Sequence, residues 1–177
     1  LPLSADLADP AGAERVAREV AERFGTVDVL VANAGGNVLV TEAAPPEGLA
    51  GVAWQWEGNF RANTLTAVLL TEALREHLAS PGGRVLLMSS IAAYRGSGSG
   101  SYAGSKAALH PYAFDLAAQF GPRGITVNVV APGYIEDTGF FGGRLSDERR
   151  DTLIGQTHTG RAGTPEDVAE TVRWLAS

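Results

Sequence analysis

Val27-Asp28-Val29-Leu30-Val31-Ala32-Asn33-Ala34-Gly35-Gly36 decides the fold. A short, mostly apolar run from Val27 to Ala32 stops in a polar cluster that carries glycine, and the arrangement recurs twice. Arg84 to Met88 ends in Ser89-Ser90, and Ile125 to Ala131 ends in Pro132-Gly133. Apolar runs of this length, bounded by turn-forming residues, read as strands buried on both faces of a parallel sheet. Parallel strands need long crossovers.

Helical patterns fill those gaps. The first helix is predicted to start with Asp9 as N-cap and Pro10 at its first position, to carry Val16, Val20 and Phe24 on one face, and to stop at Gly25. A second runs roughly from Trp56 to Leu78 and ends at Ser80-Pro81-Gly82-Gly83. A third begins near Tyr102 and closes at Gly121-Pro122, and a last one opens with Thr164, Pro165 and Asp167 in a capping-box-like order. Alternating strands and helices predict one open α/β domain over residues 1–177 with right-handed crossovers. In such sheets ligands bind beyond the carboxyl ends of the strands, so the three polar clusters should share one rim. Ser97-Gly98-Ser99-Gly100-Ser101 reads as an active-site loop on that rim.

Composition narrows the function. The formal net charge of -6 and a pI near 5.0 argue against nucleic acid or an anionic membrane as partner. No apolar run is long enough for a transmembrane helix and no signal peptide is evident, which reads as a cytoplasmic chain. Zero cysteines exclude disulfides and thiol chemistry, and His77, His110 and His158 lack metal-ligand spacing, so no metal is expected. The chain begins at Leu1-Pro2-Leu3 and ends at Trp174-Leu175-Ala176-Ser177 inside a helical pattern, which reads as cut at both ends.

Chemistry concentrates at Tyr102 and Lys106. Lys106 is the only lysine, against thirteen arginines, and it follows Tyr102 by four residues, a spacing that puts both side chains on one helix face. A free phenol titrates near ~10, so bringing it to neutrality takes roughly three units, or ~4 kcal/mol. One cation about 4 Å away at an effective dielectric of about 20 is worth on the order of 4 kcal/mol. Tyr94, Tyr112 and Tyr134 have Gly98, Leu116 and Thr138 at the same offset, none of them a cation. Tyr102 is therefore the candidate acid/base.

Val31-Ala32-Asn33-Ala34-Gly35, then Asn63, then Ser90 with Tyr102 twelve residues on, Lys106, and Val127-Asn128-Val129-Val130-Ala131-Pro132-Gly133 together resemble the short-chain dehydrogenase/reductase family across essentially the whole chain. The resemblance implies a Rossmann-like doubly wound parallel sheet. It also implies a nicotinamide cofactor, NAD or NADP, and hydride transfer to or from a carbonyl or secondary alcohol. By that resemblance Tyr102 is the acid/base, and Lys106 lowers its pKa and binds the nicotinamide ribose. Ser90, rather than Ser89, polarises the substrate oxygen, and Asn63 holds a water of a proton relay. Asp6 and Leu7, just after an apparent strand end, match an adenine contact, and Asn33, Ala34 and Gly35 match the segment along the adenosine ribose. Pro132, Gly133 and Ile135 match nicotinamide-side backbone contacts, with Thr138 one residue out of the usual register. Residues 134–159, with Phe140 and Phe141, match a substrate lid, and the second and third helices match those that build homodimers and homotetramers.

One motif of the family has no counterpart. No Thr-Gly-x-x-x-Gly-x-Gly occurs, so the N-terminal strand, glycine-rich loop, helix and strand are lacking and the choice between NAD and NADP is open. In the family strand order the strand ending at Asp6 would then have no neighbour, and the strand starting at Val27 would expose an apolar edge. Region 121–133 is similar to 3-oxoacyl thioester reductases. Two alternatives stand beside the oxidoreductase: a non-catalytic fragment of such an enzyme, and a cofactor-independent lyase of the halohydrin dehalogenase type. The lyases carry Arg where this chain has Lys106.

Overall fold

The computed structural model describes residues 1–41 and 45–177. At its centre lie β1 (Val29–Ala32), β2 (Arg84–Met88) and β3 (Thr126–Val130), parallel and adjacent in that order. Val31 sits opposite Leu86 and Leu86 opposite Asn128, so the three carboxyl ends are nearly level. That register gathers the clusters after the strands onto one rim.

The helices are α1 (Pro10–Phe24), α2 (Val38–Thr41), α3 (Gly48–Phe60), α4 (Thr66–Leu74), α5 (Ala92–Arg95), α6 (Gly100–Ala107), α7 (Leu109–Phe120), α8 (Asp147–Gly155) and α9 (Pro165–Ala176). Side chains alternate across β2, and both of its faces are covered. Val85 and Leu87 pack with Ala17 of α1, Leu74 of α4, and Leu109, Leu116 and Phe120 of α7. Leu86 and Met88 turn the other way, onto Val168, Val172 and Leu175 of α9. Burying each such side chain contributes roughly 1.5–3 kcal/mol, which explains a central strand without polar alternation.

Helix ends follow local chemistry. The Asp9 carboxylate accepts from the Ala11 N–H, Pro10 fills the first position, and Gly25 ends α1 at a φ of 76°, which glycine adopts without strain. Thr164 and Asp167 form a reciprocal capping box on α9.

The structure corrects several expectations. Phe24 is 58% exposed, and α1 buries Ala13 and Ala17 instead, on the side that packs against α4. Residues 1–6 form no strand; among the described residues none pairs with them, and a strand without a partner has no ladder to hold it. The helix predicted from Trp56 starts at Gly48, about two turns earlier, a stretch hidden from periodicity because Leu49 is 86% exposed. It then passes through a π-helical segment at Arg61–Leu65 before α4. The third helix is two, since Pro111 has no N–H to give the Ala107 carbonyl and the helix restarts as α7. β1 is an edge strand with Val29 and Val31 more than a third exposed, as the sequence led us to expect.

Candidate active site

Tyr102 and Lys106 lie one turn apart on α6 and are both buried, at 8% and 5% exposure. Gly100 and Ser101 of the predicted Gly/Ser loop belong to this helix, which starts at Gly100. The Lys106 ammonium donates to the Met88 carbonyl at the end of β2, 2.7 Å away. Its own backbone carbonyl accepts from Ser89 Oγ at 2.9 Å. Consecutive residues at the tip of β2 thus grip Lys106 by both ends.

The two serines separate cleanly. Ser89 is buried and meets His110 Nε2 at 2.8 Å; with its proton on the Lys106 carbonyl, the imidazole N–H donates to it. Ser90 is half-buried, accepts from the Ala92 N–H at 3.2 Å, and stands against the Tyr102 phenol. Burial raises the Tyr102 pKa above the ordinary tyrosine value, and the Ser90 hydroxyl opposes that shift.

Here the geometry departs from the expected phenol acidified by lysine. Burial also lowers Lys106, to about 8, and one of its three N–H groups goes to a backbone carbonyl. Loss of water penalises the charged form of both groups. The phenol is therefore held protonated.

Asn63 sits in the π-helical segment, 1% exposed. Its Oδ1 accepts from the Gly36 N–H at 2.9 Å, while the two N–H groups of Nδ2 are shared among the Gly36 carbonyl, the Asn59 carbonyl and Ser105 Oγ at 2.8, 3.0 and 3.1 Å. Both polar atoms of the side chain thus have protein partners. The side chain staples the β1 loop to α6. A Cβ at Gly35 would lie 2.5 Å from Asn63 Oδ1 and 3.0 Å from Lys106 Nζ, so only glycine lets this loop come so close to the lysine.

Asn33, Ala34 and Gly35 are exposed beyond β1. Pro132 follows β3 and accepts from the Ile91 N–H at 2.9 Å, Gly133 is exposed, and Ile135 pairs with Gly163. Thr138 caps the turn Gly139–Phe141, its hydroxyl occupied locally by the Ile135 carbonyl and the Phe140 N–H. Asp6 is exposed; the Ala8 N–H and the Arg61 guanidinium hold its carboxyl below the usual range. Leu7 beside it is half-buried. Within residues 134–159 the Phe140 ring reaches Tyr102, with ring centres 5.7 Å apart, and continues through Phe141 to Tyr134.

Asn59 and Ser105 were not singled out in the sequence, and Ser101 entered only as the end of the Gly/Ser loop. Their only trace is Asn-x-x-x-Asn at 59–63 and Ser-x-x-x-Ser at 101–105. Among the described residues no cluster of three His, Asp or Glu could hold a metal, and no helix is long and apolar enough to cross a membrane.

A family model described as enoyl-(acyl carrier protein) reductase matches residues 1–177. The chain is 33% identical to the 3-oxoacyl-(acyl-carrier-protein) reductase FabG of Escherichia coli, over 99% of this chain and 69% of that protein. Among solved structures, a short-chain dehydrogenase/reductase mutant from Serratia marcescens superposes with a TM-score of 0.84 at 31% identity, covering all of this chain and 69% of the other. A short-chain dehydrogenase from Burkholderia cenocepacia in complex with NADP gives 0.82 at 30% identity, covering 99% and 68%. With the level rim, the buried tyrosine and lysine on one helix, and likeness along its whole length, the chain belongs to the short-chain dehydrogenase/reductase family of oxidoreductases.

Proposed function

We propose that the protein carrying this chain is a nicotinamide-dependent oxidoreductase that interconverts a carbonyl and a secondary alcohol, with Tyr102 as the acid/base. The observation that carries this reading is the buried Tyr102 phenol, with Ser90 beside it and Lys106 one turn away, at the carboxyl ends of three parallel strands. A protonated phenol in a site shielded from water is a proton donor to a carbonyl oxygen. Ser90 Oγ polarises that oxygen, and Asn63 fixes the loop that brings Gly35 to Lys106.

The nicotinamide half of NAD or NADP fits this rim, because the tightly packed Gly35 exposes backbone at the lysine and Pro132, Gly133 and Ile135 border the other side. Lys106 would hold the ribose, Asn33 and Ala34 the adenosine side, and Asp6 and Leu7 the adenine; Thr138 reaches a bound cofactor only after giving up its local bonds. Bound there, the cofactor supplies or accepts the hydride at the carbonyl carbon. Relatives bound to NADP or NADPH support this cofactor class. Among substrates the 3-oxoacyl thioesters come first, on the likeness to FabG. Residues 134–159 form the lid, with Phe140 its contact to the phenol, and the exposed Leu49, Val52 and Trp56 of α3 favour a homodimer or homotetramer.

Nicotinamide absorbance tests the reading directly. We expect NADPH or NADH to be oxidised only when a 3-oxoacyl thioester or another ketone is added, and no carbonyl-dependent oxidation with any of them would overturn the proposal. The 177 residues by themselves, with no glycine-rich phosphate loop in the sequence, should bind dinucleotide weakly. Titration calorimetry should show no saturable micromolar binding of NADPH, and a micromolar Kd would contradict that expectation.

A further inference from the structure

We propose that Asn59 and Ser101 are positioning residues: their hydrogen bond sets the rotation of α6 about its own axis and so aims Tyr102 and Lys106 at the rim. The proposal rests on the reading of Tyr102 as the acid/base. Two asparagines four residues apart face two serines four residues apart. Asn59 Nδ2 donates to Ser101 Oγ at 3.0 Å and Asn63 Nδ2 to Ser105 Oγ at 3.1 Å. All four residues are buried to 3% exposure or less.

The rungs do not act alone. Thr64 Oγ1 donates to the Ser105 carbonyl at 2.9 Å, and Trp56 packs so closely on Gly104 that a Cβ there would lie 2.9 Å from its ring. Positions 101, 104 and 105 are thus one stripe of α6, fixed against α3 and the π-helical segment. Tyr102 and Lys106 each follow a rung serine by one residue, about 100° further round the helix. Whatever fixes the stripe fixes them.

The Asn59 rung is the adjustable one. Asn63 and Ser105 have further partners, the former at Gly36 and the latter at the Tyr102 carbonyl. Asn59 spends its Oδ1 on the Val38 N–H at 3.3 Å, which ties α2 to the same bracket. The first turn of α6, which holds Tyr102, has no side-chain N-cap bond from Ser99. Ser101 is its side-chain anchor to α3.

Ser101→Ala and Asn59→Leu, singly and together, test this in the full-length protein. Three readouts are followed: the 13Cζ titration of Tyr102, assigned by its absence in Tyr102→Phe; kcat and KM; and melting temperature. Freed rotation lets water reach the phenol, so the Tyr102 titration should move down toward the ordinary value. The loss in kcat should be roughly 10-fold with KM within about 2-fold, as expected for one hydrogen bond that acts on geometry. The double variant should lose no more than the larger single loss, because both substitutions break one rung. Unchanged titration and unchanged kcat per folded molecule in Ser101→Ala, the milder variant, would overturn the proposal even if its melting temperature fell. A shifted titration in a protein that reduces no carbonyl would support the positioning while defeating the proposed activity.

Discussion

Tyr102→Phe should abolish turnover, by at least ~10³-fold in kcat, or about 4 kcal/mol of transition-state stabilisation, within the range expected of a general acid. The substitution removes one oxygen and keeps the ring, so the contact with Phe140 and the packing on α6 should survive. Melting temperature should therefore change little, and KM should stay near its native value because the phenol acts in the transition state. Steady-state kinetics at saturating cofactor check this. Burial raises the Tyr102 pKa above the ordinary tyrosine value, so the phenol carries its proton at neutral pH, the form that donates to a carbonyl oxygen. A variant that turns over at the native rate would remove Tyr102 from the chemistry, and Ser90 alone offers no titratable replacement.

Lys106→Met should do two opposite things. It should lose most of the activity, because the cation that faces the cofactor ribose is gone, and it should raise stability at pH 7. Burial holds the Lys106 ammonium at about 8, against 10.5 for an ordinary lysine. That difference corresponds to about 3 kcal/mol against the charged form in the folded state at neutral pH. The Met88 carbonyl loses its partner in the variant, which costs about 1–3 kcal/mol in return. A net gain of about 1 kcal/mol, or a rise in Tm of roughly 2–4 °C, is the expected result.

The pH dependence distinguishes this from a general packing effect. Between about 8 and 10.5 the unfolded chain keeps a proton on Lys106 that the folded chain has released, so native stability climbs with pH across that window. The Met variant lacks that climb, so its lead at pH 7 should shrink as pH rises and the native protein should overtake it by about pH 10. Urea titrations at pH 7 and pH 10 measure both. A Met variant that is less stable at pH 7 and keeps the native slope would show that the ammonium is not buried at a cost.

Much of the site was legible because its chemistry is written locally. Tyr102 and Lys106 share a face by spacing alone, and the paired serines after β2 are visible as a strand end. The motif had picked Ser90 over Ser89, and in space Ser89 turns back to His110 and the Lys106 carbonyl while Ser90 turns to Tyr102. The expected acidification of the phenol failed for a related reason. Spacing gives the separation of two groups along a helix, but burial and the Met88 carbonyl determine what charge each carries. Asn63 was found by its place in the motif, whereas its four contacts within the protein depend on a π-helical segment that no periodicity announces.

The sequence by itself determined the three parallel strands, the helix caps at Asp9 and Thr164, and the tyrosine–lysine pair, because each follows from a period or a cap that spans a few residues. Tertiary structure alone decided the rotation of α6, the partners of Asn59 and Asn63, and the upward shift of the Tyr102 pKa. These depend on side chains 42 residues apart in the chain and on the exclusion of water, and neither distance nor dielectric is encoded in any local stretch.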